Sequence, residues 1–217
     1  MLILAHRGLH QSLPENTLAA FEAAVKRGCD GIETDVRLSR DGLPLLLHDR
    51  VLNKERPMTE LKRSEAEAIL GHAVPTLDEA LETFPAILWN IEIKTPQALP
   101  AALKILKHFQ KTRRLVVSSF RHDVVLGCAE VLDMECALLS AQRPVQLQDL
   151  IGAVKNQPKI RTLVWDCNIL DETLLREAAA AGWRSWVYGA ITRAEHERCA
   201  ALGLSALITD HPHYLLK

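Results

Sequence analysis

The sequence predicts an α/β fold, a (β/α)8 TIM barrel with a short insertion after its second βα unit, and three observations predict it. Short apolar or β-branched runs alternate with longer helix-like segments from end to end. No linker rich in Pro, Gly or Ser, and no block of one charge, divides the chain. Charged residues also stand at strand ends where a purely structural barrel would carry Val, Ile or Leu.

Strands are expected at 2–6, 31–37, 44–48, 87–93, 115–119, 135–139, 162–166, 183–188 and 206–209. Helices are expected at 16–28, 76–83, 97–111, 121–132, 146–155, 171–181 and 192–202. Gly28, Gly182 and Gly203 follow helical runs, where a left-handed residue commonly closes the last turn. The runs 31–37 and 44–48 break the alternation, and Asp41-Gly42 between them signals a hairpin. Counting that hairpin as one barrel position leaves eight strands, with about 27 residues per unit, short for such a barrel but tolerated. Residues 50–75 form the insertion, a polar stretch with a short amphipathic helix around 64–70. One domain over 1–217 is expected. An open doubly wound sheet is the competing architecture; its nucleotide-binding version lacks support because no glycine-rich phosphate loop follows the first strand.

The 217 residues are 48% hydrophobic, enough to bury a large core, and the formal net charge of -1 leaves no positive field for a nucleic-acid backbone. Cys29, Cys128, Cys136, Cys167 and Cys199 show no C-x-x-C pair and read as buried thiols of a reducing compartment. The first residues lack the basic leader of a signal peptide, and no apolar stretch approaches the roughly 18–20 residues of a membrane helix. A soluble, cytoplasmic protein without stable membrane association is expected.

On the run Ile32-Glu33-Thr34-Asp35-Val36, the two carboxylates lie two residues apart and project from one face of a strand. Ile91-Glu92-Ile93-Lys94 repeats the spacing with a carboxylate and an amine. Like charges on a buried face cost several kcal/mol unless a cation joins them, and oxygen-only ligands suit Mg2+, Ca2+ or Mn2+ better than Zn2+. Read singly, Glu33 and Asp35 fit a solvated rim pair; the second strand end favours a site.

His6-Arg7-Gly8 closes the first strand, and His48-Asp49 closes the strand after the hairpin. Imidazoles give and take protons near neutral pH, so two at one barrel mouth can divide the acid and base roles. Arg7 carries a planar fork that matches a phosphate, and Gly8 lets the backbone turn closely past a ligand. Either histidine alone fits a structural role; beside the carboxylates they make a set with no evident structural purpose. In Pro14-Glu15-Asn16-Thr17, Asn16 or Thr17 can cap the first helix. Glu15 is open between a first-turn carboxylate and a role in holding the substrate or the metal-bound loop.

These residues, in this order, resemble the glycerophosphodiester phosphodiesterase family. The matching segments are Ala5-His6-Arg7-Gly8, Pro14-Glu15-Asn16-Thr17, Gly31 to Val36, Leu47-His48-Asp49, Pro75 to Leu81, Asn90-Ile91-Glu92-Ile93-Lys94, Ser119-Phe120 and Ile208 to Pro212. The resemblance implies metal ligands at Glu33, Asp35 and Glu92, catalytic histidines at His6 and His48, and phosphate-contacting cations at Arg7 and Lys94. It implies one divalent cation, Mg2+ or Ca2+ with Mn2+ as an alternative, and a small glycerophosphodiester hydrolysed to glycerol 3-phosphate and an alcohol. The same chemistry on a lipid, as in a lysophospholipase D or a sphingomyelinase D-like enzyme acting at a bilayer, is the alternative reading; it needs an exposed apolar loop near the barrel mouth, and the charged loop at 50–75 offers little to insert. The chain departs from the family near the seventh strand, where an aromatic followed by Thr-Val-Asn is usual and Trp186-Val187-Tyr188-Gly189-Ala190 stands instead.

Overall fold

The computed structural model describes residues 1–216. The chain runs β1 (Leu2–His6), α1 (Leu18–Arg27), β2 (Gly31–Leu38), β3 (Pro44–Leu46), β4 (Val51–Leu52), β5 (Arg56–Pro57), α2 (Arg63–Leu70), α3 (Leu77–Thr83) and β6 (Leu88–Ile93). It continues through α4 (Leu99–Phe109), β7 (Arg114–Ser119), α5 (His122–Val131), β8 (Glu135–Ser140), α6 (Leu147–Ala153), β9 (Ile160–Asp166), α7 (Glu172–Ala180), β10 (Arg184–Tyr188), α8 (Arg193–Ala201) and β11 (Ala206–Thr209). Eight strands pair in parallel in the order β1, β11, β10, β9, β8, β7, β6, β2, and β2 returns to β1, closing the barrel. β3 lies antiparallel on β2, as the Asp41-Gly42 hairpin predicts.

Alternation along each strand sorts side chains between two cores. Leu4, Leu88, Val116, Ala137, Leu139, Val164, Trp186, Ala206 and Ile208 fill the barrel interior. Ile32, Val36, Trp89, Ile91, Ile93 and Trp165 face outward and pack with helix residues such as Phe21, Leu81 and Leu106. All five cysteines are buried and unpaired. No helix among the described residues is long and apolar enough to cross a membrane.

Helix ends follow capping chemistry. α1 starts at Leu18, later than the sequence suggests, because Asn16 is left-handed (φ 56°) and Thr17 is the cap, its hydroxyl accepting from the Ala20 amide. Gly28, Gly182 and Gly203 all have φ between 71° and 85°. The insertion holds more than the helix read from the sequence: β4 and β5 pair as a small hairpin, and Leu45, Leu47, Leu52, Met58, Leu61, Ala66 and Val74 form a separate apolar cluster under it.

Candidate active site

The barrel register places Glu33, Asp35, Asn90 and Glu92 on one inner surface: Glu33 pairs with Asn90 and Asp35 with Glu92 across β2 and β6. The carboxylates of Glu33, Asp35 and Glu92 have oxygens within 4.8 Å of one another, and the residues are only 3%, 1% and 7% exposed. Lys94 Nζ lies 3.0 Å from Asp35 Oδ1 and 2.7 Å from Glu92 Oε1. Arg7 Nε lies 3.2 Å from Asp35 Oδ2, while Arg7 Nη1 donates to both Glu15 oxygens at 3.0 and 2.9 Å. Glu15 therefore anchors the arginine, and Nη2 makes no hydrogen bond among the described residues. The Asn16 amide donates to Asp35 Oδ2 (2.9 Å) and its carbonyl oxygen accepts from the Thr34 hydroxyl (2.7 Å).

The loop from β1 to α1 is bent to make these contacts. Arg7 is left-handed (φ 54°), a conformation that costs a non-glycine residue about 1 kcal/mol or more. Its backbone N–H sits 3.2 Å from Glu33 Oε2 and 2.9 Å from the Glu33 carbonyl oxygen. Gly8 follows at φ 83°, and a Cβ there would lie 2.8 Å from the Ala20 backbone, so only glycine lets the loop press on α1.

The charges do not cancel. Burial, reinforced by the Asp35 and Glu92 charges, pushes the Glu33 carboxyl well above the usual carboxylate range. Burial also raises Glu92, against the pull of Lys94. Asp35 is held low: burial acts to raise it, but Lys94, Arg7 and the Asn16 amide prevail. A buried carboxyl that its neighbours cannot keep ionised is a place where a hard divalent cation fits, and the all-oxygen donor set suits Mg2+, Ca2+ or Mn2+.

His6 Nδ1 lies 2.7 Å from Asp210 Oδ1, and His6 Nε2 lies 3.8 Å from Glu33 Oε2. His48 Nδ1 lies 3.0 Å from Asp49 Oδ1. His6, Arg7, Glu33, His48, Asn90, Glu92 and Lys94 line one cavity of about 200 Å3, with Phe120, Leu139, Tyr188 and Ile208 completing its wall. All seven residues singled out from the sequence thus lie in or beside this cavity, with Asp35 behind Lys94 and Arg7. None of the four tryptophans lines it; all are packed in the two cores.

Sequence reasoning gave no role to Asn90, His10 or Asp210. Asn90 is 1% exposed, and neither atom of its amide has a hydrogen-bond partner. The two-residue spacing that singled out Glu92 and Lys94 continues back to Asn90 and could have found it. Asp210 follows β11, whose Ile208 pairs with Leu4 of β1 and whose Thr209 pairs with Ala5, so the next step sets Asp210 beside His6. At the departure in the seventh barrel strand, Tyr188 points into the cavity with its ring 5.7 Å from that of Phe120, and Gly189 is left-handed beside Asp166.

A parallel eight-stranded barrel with buried carboxylates on adjacent strands, one imidazole at the end of β1 and a second on the segment after the antiparallel β3, has the architecture of a barrel enzyme with its site at the usual mouth. The model of the glycerophosphoryl diester phosphodiesterase family matches residues 6–214. The chain belongs to that family. It is 28% identical to the glycerophosphodiester phosphodiesterase of Caldanaerobacter subterraneus subsp. tengcongensis, over 99% of this chain and 96% of that one. Among solved structures, the Thermotoga maritima glycerophosphodiester phosphodiesterase superposes with a TM-score of 0.81 at 26% identity, covering 97% of this chain and 94% of the other. An Oleispira antarctica phosphodiesterase in complex with the product sn-glycerol-3-phosphate gives 0.86 at 22% identity, covering 98% and 94%, a likeness of fold.

Proposed function

We propose that the protein hydrolyses small glycerophosphodiesters to glycerol 3-phosphate and an alcohol, as a single-domain, metal-dependent enzyme. The observation that carries this reading is the cluster of Glu33, Asp35 and Glu92, two of which, Glu33 and Glu92, line one cavity with His6 and His48. The three carboxylates are the residues to hold a divalent cation, which when bound supplies Lewis acidity at the phosphate oxygens and the neighbouring glycerol hydroxyl. Arg7 and Lys94 offset charge on the phosphoryl oxygens. Asn90, with a donor and an acceptor unpartnered at the cavity wall, supplies hydrogen bonds to a glycerol or phosphate oxygen.

Each imidazole has a carboxylate against Nδ1, which stabilises the tautomer with the proton there and leaves Nε2 for the substrate. One histidine takes the proton of the glycerol hydroxyl as its oxygen attacks phosphorus, and the other protonates the departing alcohol. Water then opens the resulting cyclic phosphate with the two roles exchanged. Release of glycerol 3-phosphate, measured with and without a chelator, tests the reading. His6→Ala and His48→Ala are each expected to lose more than about a hundredfold in turnover with the circular dichroism spectrum unchanged, the lower range for a general acid or base; near-normal turnover in either rejects it.

A second reading has one observation in its favour. Phe120, on the loop after β7, is 43% exposed, and with Leu139, Tyr188 and Ile208 it gives the cavity an apolar rim. That rim suits the alkyl part of a lipid diester, where the charged 50–75 segment does not. Turnover of glycerophosphocholine against its long-chain acylated counterpart separates the two substrates.

A further inference from the structure

A second cluster of metal-ligating atoms lies on the other side of His6. His6 Nδ1 is 2.7 Å and His10 Nε2 is 2.9 Å from the same oxygen, Asp210 Oδ1, and the three donor atoms lie within 4.8 Å of one another. The backbone around Asp210 is fixed, since the Gln11 amide donates to the Asp210 carbonyl oxygen and the following amide, His211 N–H, donates to Thr209 Oγ1 at 2.8 Å. All three side chains are partly exposed, so an ion has a path in and room for water as a further ligand.

Two imidazole nitrogens aimed at one carboxylate oxygen make a donor set unlike the first. The Glu33, Asp35 and Glu92 cluster is all oxygen and suits hard cations, whereas imidazole with one carboxylate suits borderline ions such as Zn2+, Co2+ or Ni2+. Donor atoms on a tetrahedral Zn2+ sit about 3.4 Å apart, given bonds near 2.1 Å, so small movements of the two rings would open the space.

We propose that His6, His10 and Asp210 form a separate site for a Zn2+-type cation, and that filling it switches the enzyme off by withdrawing His6 from proton transfer. Coordination uses the lone pair of His6 Nδ1, so the ring proton moves to Nε2, the nitrogen toward the cavity. A neutral imidazole held that way has no lone pair left there to accept a proton. The inhibition half of this inference rests on the catalytic role proposed for His6; the binding half does not.

The test uses Co2+ as a spectroscopic probe and Zn2+ as the inhibitor, with Mg2+ or Ca2+ kept in excess to occupy the carboxylate cluster. The wild-type protein is expected to develop a visible Co2+ absorption that saturates at one equivalent, and to lose turnover as Zn2+ is added. His10→Ala is expected to keep its turnover in the absence of Zn2+, and to weaken both Co2+ binding and Zn2+ inhibition by more than about tenfold, the least that losing a supporting ligand contact costs. Asp210→Asn, its fold checked by thermal melting, is expected to weaken Co2+ binding likewise. Equal Co2+ binding and equal Zn2+ inhibition in wild type and His10→Ala overturns the proposal. Co2+ binding that depends on His10 but leaves turnover untouched upholds the site and removes His6 from the catalytic scheme.

Discussion

Asp35 and Glu92 face each other across paired strands β2 and β6, and the single amine of Lys94 reaches both carboxylates, at 3.0 and 2.7 Å. Burial acts to lower the Lys94 pKa, yet the two carboxylates outweigh it and hold the amine charged. Lys94 and Arg7, the latter shared with Glu15, cannot balance three buried acids, and several expected outcomes follow from that shortfall.

Lys94→Met leaves Asp35 and Glu92 without their amine. Breaking a buried pair by removing one partner costs about 3–5 kcal/mol. Denaturant unfolding in a chelator is expected to show a loss of that order, partly recovered by excess Mg2+ or Ca2+. Unchanged stability would mean that Lys94 is not the counter-charge.

Glu33→Gln removes the carboxyl that is hardest to ionise. In a chelator the variant is expected to be more stable than the wild type by about 1 kcal/mol or more, because a neutral amide replaces a carboxyl that burial and its acidic neighbours keep from ionising freely. With the divalent ion restored it is expected to lose turnover, so stability and activity move in opposite directions. A variant that is both less stable in chelator and fully active contradicts this arrangement.

The raised Glu33 carboxyl also fixes a pH dependence. Its folded pKa lies above its unfolded value of about 4.3, so between the two the native state binds more protons than the unfolded chain, and stability falls as pH rises. The chelated protein is thus expected to lose stability from about pH 4.3 upward through the folded value of Glu33. A hard cation favours the ionised form, so the rise in melting temperature on adding Mg2+ or Ca2+ is expected to grow across that window. A metal-induced rise independent of pH would count against Glu33 as a ligand.

Asn16→Ala tests the backbone under the site. Asn16 is left-handed, bonds the Thr34 hydroxyl and supports Asp35 at 2.9 Å. Losing a buried amide that satisfies two partners, at a conformation alanine disfavours, is expected to cost about 3 kcal/mol. Asn16→Gly, which restores only the backbone freedom, is expected to recover about 1 kcal/mol of it by thermal or denaturant unfolding.

Asn90→Leu is expected to separate binding from folding. No partner of the Asn90 amide is lost within the protein, so stability is expected to stay within about 1 kcal/mol or rise. The KM for the glycerophosphodiester is expected to increase. A large loss of stability with an unchanged KM would assign Asn90 to the core.

Much of this was legible because it is written in short-range patterns. Strand and helix alternation announced the barrel, and the two-residue spacings Glu33 to Asp35 and Glu92 to Lys94 announced which side chains share an inner face. Closure of the barrel brings together what no spacing reveals: Asp210 reaches His6 only because β11 lies against β1. The β4–β5 hairpin was missed because two-residue strands carry no period to detect. Tyr188 was marked as a departure, but its place in the cavity wall depends on the pleat of β10, which a motif comparison does not supply.

His48 follows Leu47, and Leu47 belongs to the small apolar cluster beneath the insertion, while His6 rises from a strand rooted in the barrel interior. The two imidazoles thus stand on foundations of unequal depth. Melting of the lesser cluster would carry one imidazole away while the barrel stays closed, so catalysis should fail on warming before the protein as a whole unfolds.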